Sequence, residues 1–186
     1  MTGRGLASRR MTIIRPFGGK APRLHDSVML VGDVTIVGDV EIGDQSSLWF
    51  GSVVRGDVNF IRIGSRTNVQ DLCVLHVTSR THPTLVGDDV TLGHRVTLHG
   101  CTVKNRCLVG IGSVLMDGAV LEDDAMVGAG SLVPPGMVVP SGTLALGSPA
   151  RVKRNLTAEE VAFFRKSAQS YVTYAEQYRR EGWSSR

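Results

Sequence analysis

Aliphatic side chains recur every six residues through the middle of this 186-residue chain. The series runs Ile36, Ile42, Leu48, Val54 and Phe60, slips by three residues, and resumes at Ile63, Val69 and Leu75. After a longer insertion come Val86, Leu92 and Leu98. One step of five leads to Val103, and the step of six then holds through Val109, Leu115, Leu121, Val127, Val133 and Val139. Six is a multiple of two, so these residues share one side of a strand, whereas a 3.6-residue helix would scatter them. Glycine often follows directly (Gly43, Gly64, Gly87, Gly93, Gly110, Gly128), and the fourth position is small or β-branched, as at Ser46, Ser52, Thr67, Cys73, Val90 and Ser113. Short strands that turn at each corner and stack coil on coil satisfy both features. The pattern therefore predicts an all-β solenoid over residues 12–150, with its aliphatic column buried by stacking.

The tail changes period. From Leu156, apolar residues fall at Val161, Phe164, Ala168, Tyr171, Val172, Ala175 and Tyr178, the spacing of one helical face. Thr157 with Glu160 reads as a capping box that starts the helix near residue 158, and Arg179 and Arg180 suit its last turn. Residues 151–186 are assigned to this C-terminal helix, packed along the solenoid. Residues 1–11 read as a basic extension, either disordered or an expression tag. Their acid-free composition also suits an organellar transit peptide, and they are too short and polar for a secretory signal.

Composition narrows the partners. The chain holds 25 Val and 22 Gly with only 5% aromatics, as many short strands and tight corners require. The net charge of +4 belongs to the ends: residues 1–30 carry +5 and residues 151–186 carry +4, while the body, 31–150, carries −5. No basic stripe with interleaved aromatics crosses that body, which argues against nucleic acid. No apolar run approaches the ~20 residues of a membrane span. Cys73, Cys101 and Cys107 lack metal or redox spacing and read as buried thiols of a reducing compartment. A cytoplasmic location is expected.

The repeat resembles that of hexapeptide-repeat proteins. The resemblance implies three hexapeptides per coil, a triangular prism and a left-handed winding, against the usual crossover hand. With three steps per coil, Leu98 stacks on Leu75, so His76 and His99 take equivalent outward positions about one strand spacing, ~4.8 Å, apart. Arg55 falls in the same column one coil earlier. His94, two residues after Leu92, belongs to the neighbouring face, which also carries Gln70 and Asp71. These imidazoles cannot readily converge in one chain. A three-fold trimer brings His94 of one chain to His76 and His99 of the next. Three neutral imidazoles with an open position make a catalytic zinc pattern, and Fe(II) or Co(II) accepts the same donors. His25 and His82 read as ordinary surface imidazoles.

The motifs Arg55-Gly56-Asp57, Asn68-Val69-Gln70-Asp71 with His76 five beyond, and His94-Arg-Val-Thr-Leu-His99-Gly100-Cys101 resemble those of the γ-class carbonic anhydrase family. So does Gly147-Ser-Pro-Ala150 leading into a helix. The similarity spans about residues 12–180. It implies a homotrimer that hydrates CO₂ reversibly to bicarbonate by a metal-bound hydroxide. His76, His94 and His99 would be the metal ligands, with His94 donated by the adjacent subunit. Gln70 corresponds to the residue that hydrogen-bonds the metal-bound water, and Arg55 and Asp57 to an ion pair that reaches Asp71 across the boundary.

One departure bears on rate. Family members carry proton-shuttling glutamates after the Asp57 position and in the loop after the first His ligand. Here those positions read Val58 and Val77-Thr-Ser-Arg-Thr-His-Pro-Thr84, with no acid. Turnover is therefore expected to be low or buffer-dependent, unless His82 relays protons. Two other readings remain: a hexapeptide-repeat acyltransferase using a CoA thioester and a His base, and a non-catalytic metal-binding scaffold derived from the enzyme.

Overall fold

The computed structural model describes residues 12–183. The basic extension expected at residues 1–11 lies outside them, and the first described strand is Ile13–Arg15. Short parallel strands wind through about seven coils of a left-handed β-helix, and three inward columns fill it. One column stacks Leu30, Leu48, Val69, Leu92, Val109, Val127 and Ala145. The second stacks Ile14, Ile36, Val54, Leu75, Leu98, Leu115 and Val133. The third stacks Leu24, Ile42, Ile63, Val86, Val103, Leu121 and Val139. We refer to the three sides as the first, second and third faces in that order.

Two features explain the three-residue slip and the longer insertion. Strands Thr35–Ile42 and Val53–Ile63 run unbroken through the corner between the second and third faces, which joins twelve strands into one sheet. A register shift between Gly38 and Val40 there buries Val40 and Ile61 and leaves Phe60 partly exposed. Phe60 is therefore not a core residue, contrary to the six-residue count, and the three-residue slip is this bulge. The later gap, Leu75 to Val86, is an outward loop closed by a bridge between Thr78 and His82. The small residues at the fourth positions are buried at corners, where Ser46, Ser52, Thr67 and Ser113 donate to the carbonyls of Gly64, Gln70, Gly87 and Gly128.

The segment assigned with the C-terminal helix begins with a strand, and the helix itself starts where the capping box expects it. Ala150–Asn155 is a strand antiparallel to Thr143–Gly147, the one antiparallel pair among the named strands. Its alternation of Arg and Lys around Val152 carries no six-residue mark, so the periodicity passed over it. The helix spans Ala158–Arg180 and its capping box is formed: Thr157 Oγ1 accepts from the Glu160 amide, and Glu160 accepts from the Thr157 amide. Phe164, Ala168, Val172 and Ala175 are buried. The helix packs on the first face, where Trp49 meets Tyr171 and Tyr178 edge-on with centroids 5.4 and 5.1 Å apart.

Candidate metal centre

Register carries two of the histidines, His76 and His99, to one edge. His99 pairs directly with His76 across adjacent parallel strands, as counting three steps per coil expects. Leu75 and Leu98 point inward and are fully buried, so the residues that follow them point out. There a continuous line of side chains runs parallel to the solenoid axis. Asp57 Oδ1 lies 3.2 Å from His76 Nε2, and His76 Nδ1 lies 3.2 Å from His99 Nε2. His99 Nδ1 lies 2.7 Å from Asp117 Oδ1. Arg55 Nη1 donates to Asp57 Oδ2 at 2.5 Å, and Thr78 Oγ1 donates to Asp117 Oδ2 at 2.6 Å.

The charges follow from these contacts. Burial pushes the Asp57 carboxyl up, but the hydrogen bonds from Arg55 and His76 together hold it below its ordinary value. The Thr78 hydroxyl, ahead of the opposing burial and of His99, holds the Asp117 carboxyl below its ordinary value. Both aspartates are therefore charged at neutral pH, and a negative group flanks each end of the imidazole pair. The three cysteines take no part: burial pushes each thiol up to about 12.

His94 lies elsewhere. It occupies the corner turn between the first and second faces, rather than a strand of the neighbouring face, and its Nδ1 is 2.6 Å from Asp71 Oδ2. Asp71 sits one coil earlier at the same corner, so within the chain it engages His94 and not the Arg55–Asp57 pair. The second face thus has His94 at one edge and His76 with His99 at the other. Among the described residues, no group of three or more His, Cys, Asp or Glu converges as a metal cage within one chain.

Gln70 is buried one residue beyond strand Asn68–Val69 of the first face. Its Nε2 donates to Asn68 Oδ1 at 3.1 Å. Asn68 Nδ2 donates in turn to the Val90 carbonyl and to Thr91 Oγ1, which lies 3.0 Å from Ser167 Oγ of the helix. A carbonyl can only accept, so the Asn68 amide is oriented, and Gln70 is left with Oε1 as its available acceptor.

The donor chemistry suits a divalent cation. Asp71 and Asp117 accept at the Nδ1 atoms of His94 and His99, which leaves each Nε2 as the donor atom for a metal. Asp117 and Thr78 were not anticipated from the sequence. Counting one coil on from Gly100 reaches Asp117, but nothing in that count says that its carboxylate turns back to His99. His82, on the insertion, is half-exposed with Nδ1 3.9 Å from Asp117 Oδ2.

Fold and side-chain arrangement together place the molecule in the left-handed β-helix, hexapeptide-repeat class. No family model matches the chain. It is 45% identical over 167 residues to a carbonic anhydrase of Geobacillus kaustophilus, covering 90% of this chain and 91% of that one. It is 43% identical over 179 residues to γ carbonic anhydrase 1, mitochondrial, of Arabidopsis thaliana, covering 94% of this chain and 65% of the relative. Among solved structures, a putative acetyltransferase of Bacillus cereus superposes with a TM-score of 0.88 at 45% identity, over 90% of this chain and 96% of that one. The chain belongs to the γ-class carbonic anhydrase family. Among the described residues no helix is long and apolar enough to cross a membrane.

Proposed function

We propose that this protein is a cytoplasmic homotrimeric carbonic anhydrase that interconverts CO₂ and bicarbonate at three sites between subunits. His76 and His99 of one chain and His94 of the next would hold the metal, with zinc first and Fe(II) or Co(II) as alternatives. The observation that carries this reading is the in-register His76–His99 pair on one edge of a face whose opposite edge bears His94. A divalent cation held by three imidazoles with an open position supplies the Lewis acidity that ionises water near neutral pH.

The trimer is supported by how the three faces differ. The helix covers the first, and ion pairs among Arg23, Glu41, Arg62 and Asp39 lie on the third. The second presents an uncharged outward column of Val53, Val74, Thr97, Val114 and Leu132, with Leu72 and Ile111 exposed at its edge. Association on that face buries apolar surface and brings the two histidine edges of neighbouring chains together.

The chain's own residues then divide the work. Asp71 and Asp117 keep the proton of His94 and His99 on Nδ1. Gln70, anchored through Asn68, offers Oε1 to accept a hydrogen bond from water at the site. Arg55 holds Asp57 charged beside His76, and across the boundary Asp71 joins that pair. Val58 and the acid-free insertion leave proton export to buffer or to His82.

Metal analysis with stopped-flow CO₂ hydration, in buffers of graded size, tests the reading. Bound divalent metal and hydration are expected. A metal-free trimer without hydration under reducing, metal-replete conditions refutes it. The name of the Bacillus cereus neighbour favours the acyltransferase reading as the second choice. Acetyl-CoA turnover that survives removal of metal would select it. Bound metal without hydration would select the scaffold.

A further inference from the structure

We infer that Asp117 is a positioning residue for His99, clamped in place by Thr78 of the 77–83 insertion; the inference rests on reading His76, His94 and His99 as metal ligands. The clamp crosses coils. Thr78 and Asp117 lie 39 residues apart, and the hydroxyl reaches Oδ2 at 2.6 Å while Oδ1 faces His99 Nδ1 at 2.7 Å. The Thr78 hydroxyl donates to a carboxylate, and that carboxylate accepts from the imidazole. Both contacts are short, 2.6 and 2.7 Å. An acceptor oxygen 2.7 Å from Nδ1 favours the Nδ1–H tautomer of His99, which leaves the lone pair on Nε2, the atom 3.2 Å from His76 Nδ1.

The surrounding backbone is built around this approach. Gly100 follows His99 with φ +61°, and a Cβ there would stand 2.4 Å from Asp117 Oδ1 and 2.7 Å from His82 Cβ. No larger residue leaves room for the carboxylate to turn back onto His99. The insertion is itself tied to the histidine strands. Thr84 Oγ1 contacts the His76 carbonyl at 2.5 Å and accepts from the Gly100 amide at 3.0 Å, and Asn59 Nδ2 holds the Thr78 carbonyl at 3.0 Å. The loop that interrupts the repeat thus does the work of fixing one imidazole, which accounts for an insertion placed directly after His76.

Zinc affinity by chelator competition, imidazole ¹⁵N NMR of the metal-free chain, apo thermal midpoint and trimer mass would be measured for wild type, D117A, D117N and T78V. D117A is expected to lose about 10- to 100-fold in zinc affinity, the range for removing an outer partner of a ligand. Its His99 should show mixed tautomers where wild type shows Nδ1–H. D117N keeps an acceptor for Nδ1–H and a donor to Thr78 Oγ1, so it should retain the tautomer and recover much of the affinity. T78V, which leaves the carboxylate in place, should show a smaller loss at unchanged trimer mass. A D117A chain with wild-type tautomer and affinity overturns the inference. So does a fall in thermal midpoint for D117A and T78V with affinity unchanged, the signature of a merely structural role. A wild-type chain that shows the Nδ1–H tautomer but takes up no zinc upholds the clamp and refutes the metal reading instead.

Discussion

Two inactive variants, mixed, test whether one site is made from two chains. His94→Ala removes the imidazole at one edge of the uncharged face, and His76→Ala removes one at the other. Neither trimer alone would hold a complete set. In trimers assembled at random from equal amounts, a site is intact where a chain that keeps His76 abuts a chain that keeps His94. Each condition holds half the time, so about a quarter of wild-type sites should return. The structure indicates that both variants fold. The His94 side chain is 45% exposed with its hydrogen bond to Asp71, a partly solvated contact worth about 1 kcal/mol or less. His76 is 17% exposed, and its loss leaves Asp57 held by Arg55 at 2.5 Å rather than stranded, so about 1 kcal/mol is again expected. Both costs are small beside a typical folding free energy of about 5–15 kcal/mol. Metal per chain by mass spectrometry and CO₂ hydration by stopped flow provide the readout, with mixed trimers verified by native mass spectrometry. No recovery in verified mixed trimers refutes the shared site, as does full metal binding by either variant alone.

Leu98→Ala, one residue from His99 but on the inside of the strand, should destabilise by about 2–5 kcal/mol, because Leu98 is fully buried between Leu75 and Leu115; chemical denaturation measures it. The exposed pair of Arg154 and Glu160 should give a pH-dependent helix cap. Arg154, then the Thr157 amide, holds Glu160 down to about 2 from 4.5, so its contribution is present above the unfolded value and lost as pH falls through about 2. The midpoint difference between wild type and E160Q, followed by circular dichroism, should therefore shrink across that window and be constant from pH 6 to 8. Hydration should rise with the concentration of a small imidazole buffer and respond less to a bulky one; independence from buffer would show that the chain supplies its own relay.

Much of this is legible in the sequence because a solenoid turns sequence distance into spatial position. The interval from Leu75 to Leu98 reads as one coil once the insertion is counted, and that alone aligns His76 with His99. Interior positions share one periodic signal. Corners do not. The side-chain turn of Asp117 onto His99, the chain from Gln70 to Ser167 and the bulge that expels Phe60 all depend on contacts between different coils, which no single stretch of sequence encodes. The strand at Ala150–Asn155 escaped for a different reason. It is a hairpin return beside Thr143–Gly147, with five of its six residues exposed, so it lacks the inward aliphatic mark.

The 77–83 insertion leaves and rejoins the prism at the same corner, so its length is uncoupled from the alignment of everything after it. Residues can be added or removed beyond Thr78 without moving His99 relative to His76. The remainder of the path between the two histidines has no such freedom. One residue lost between Val86 and Leu98 would turn every later inward side chain outward, and would bury the His99 imidazole where Leu98 now stands. In this fold the loop is the place where lineages can differ in length, and the strands are a ruler that cannot be cut.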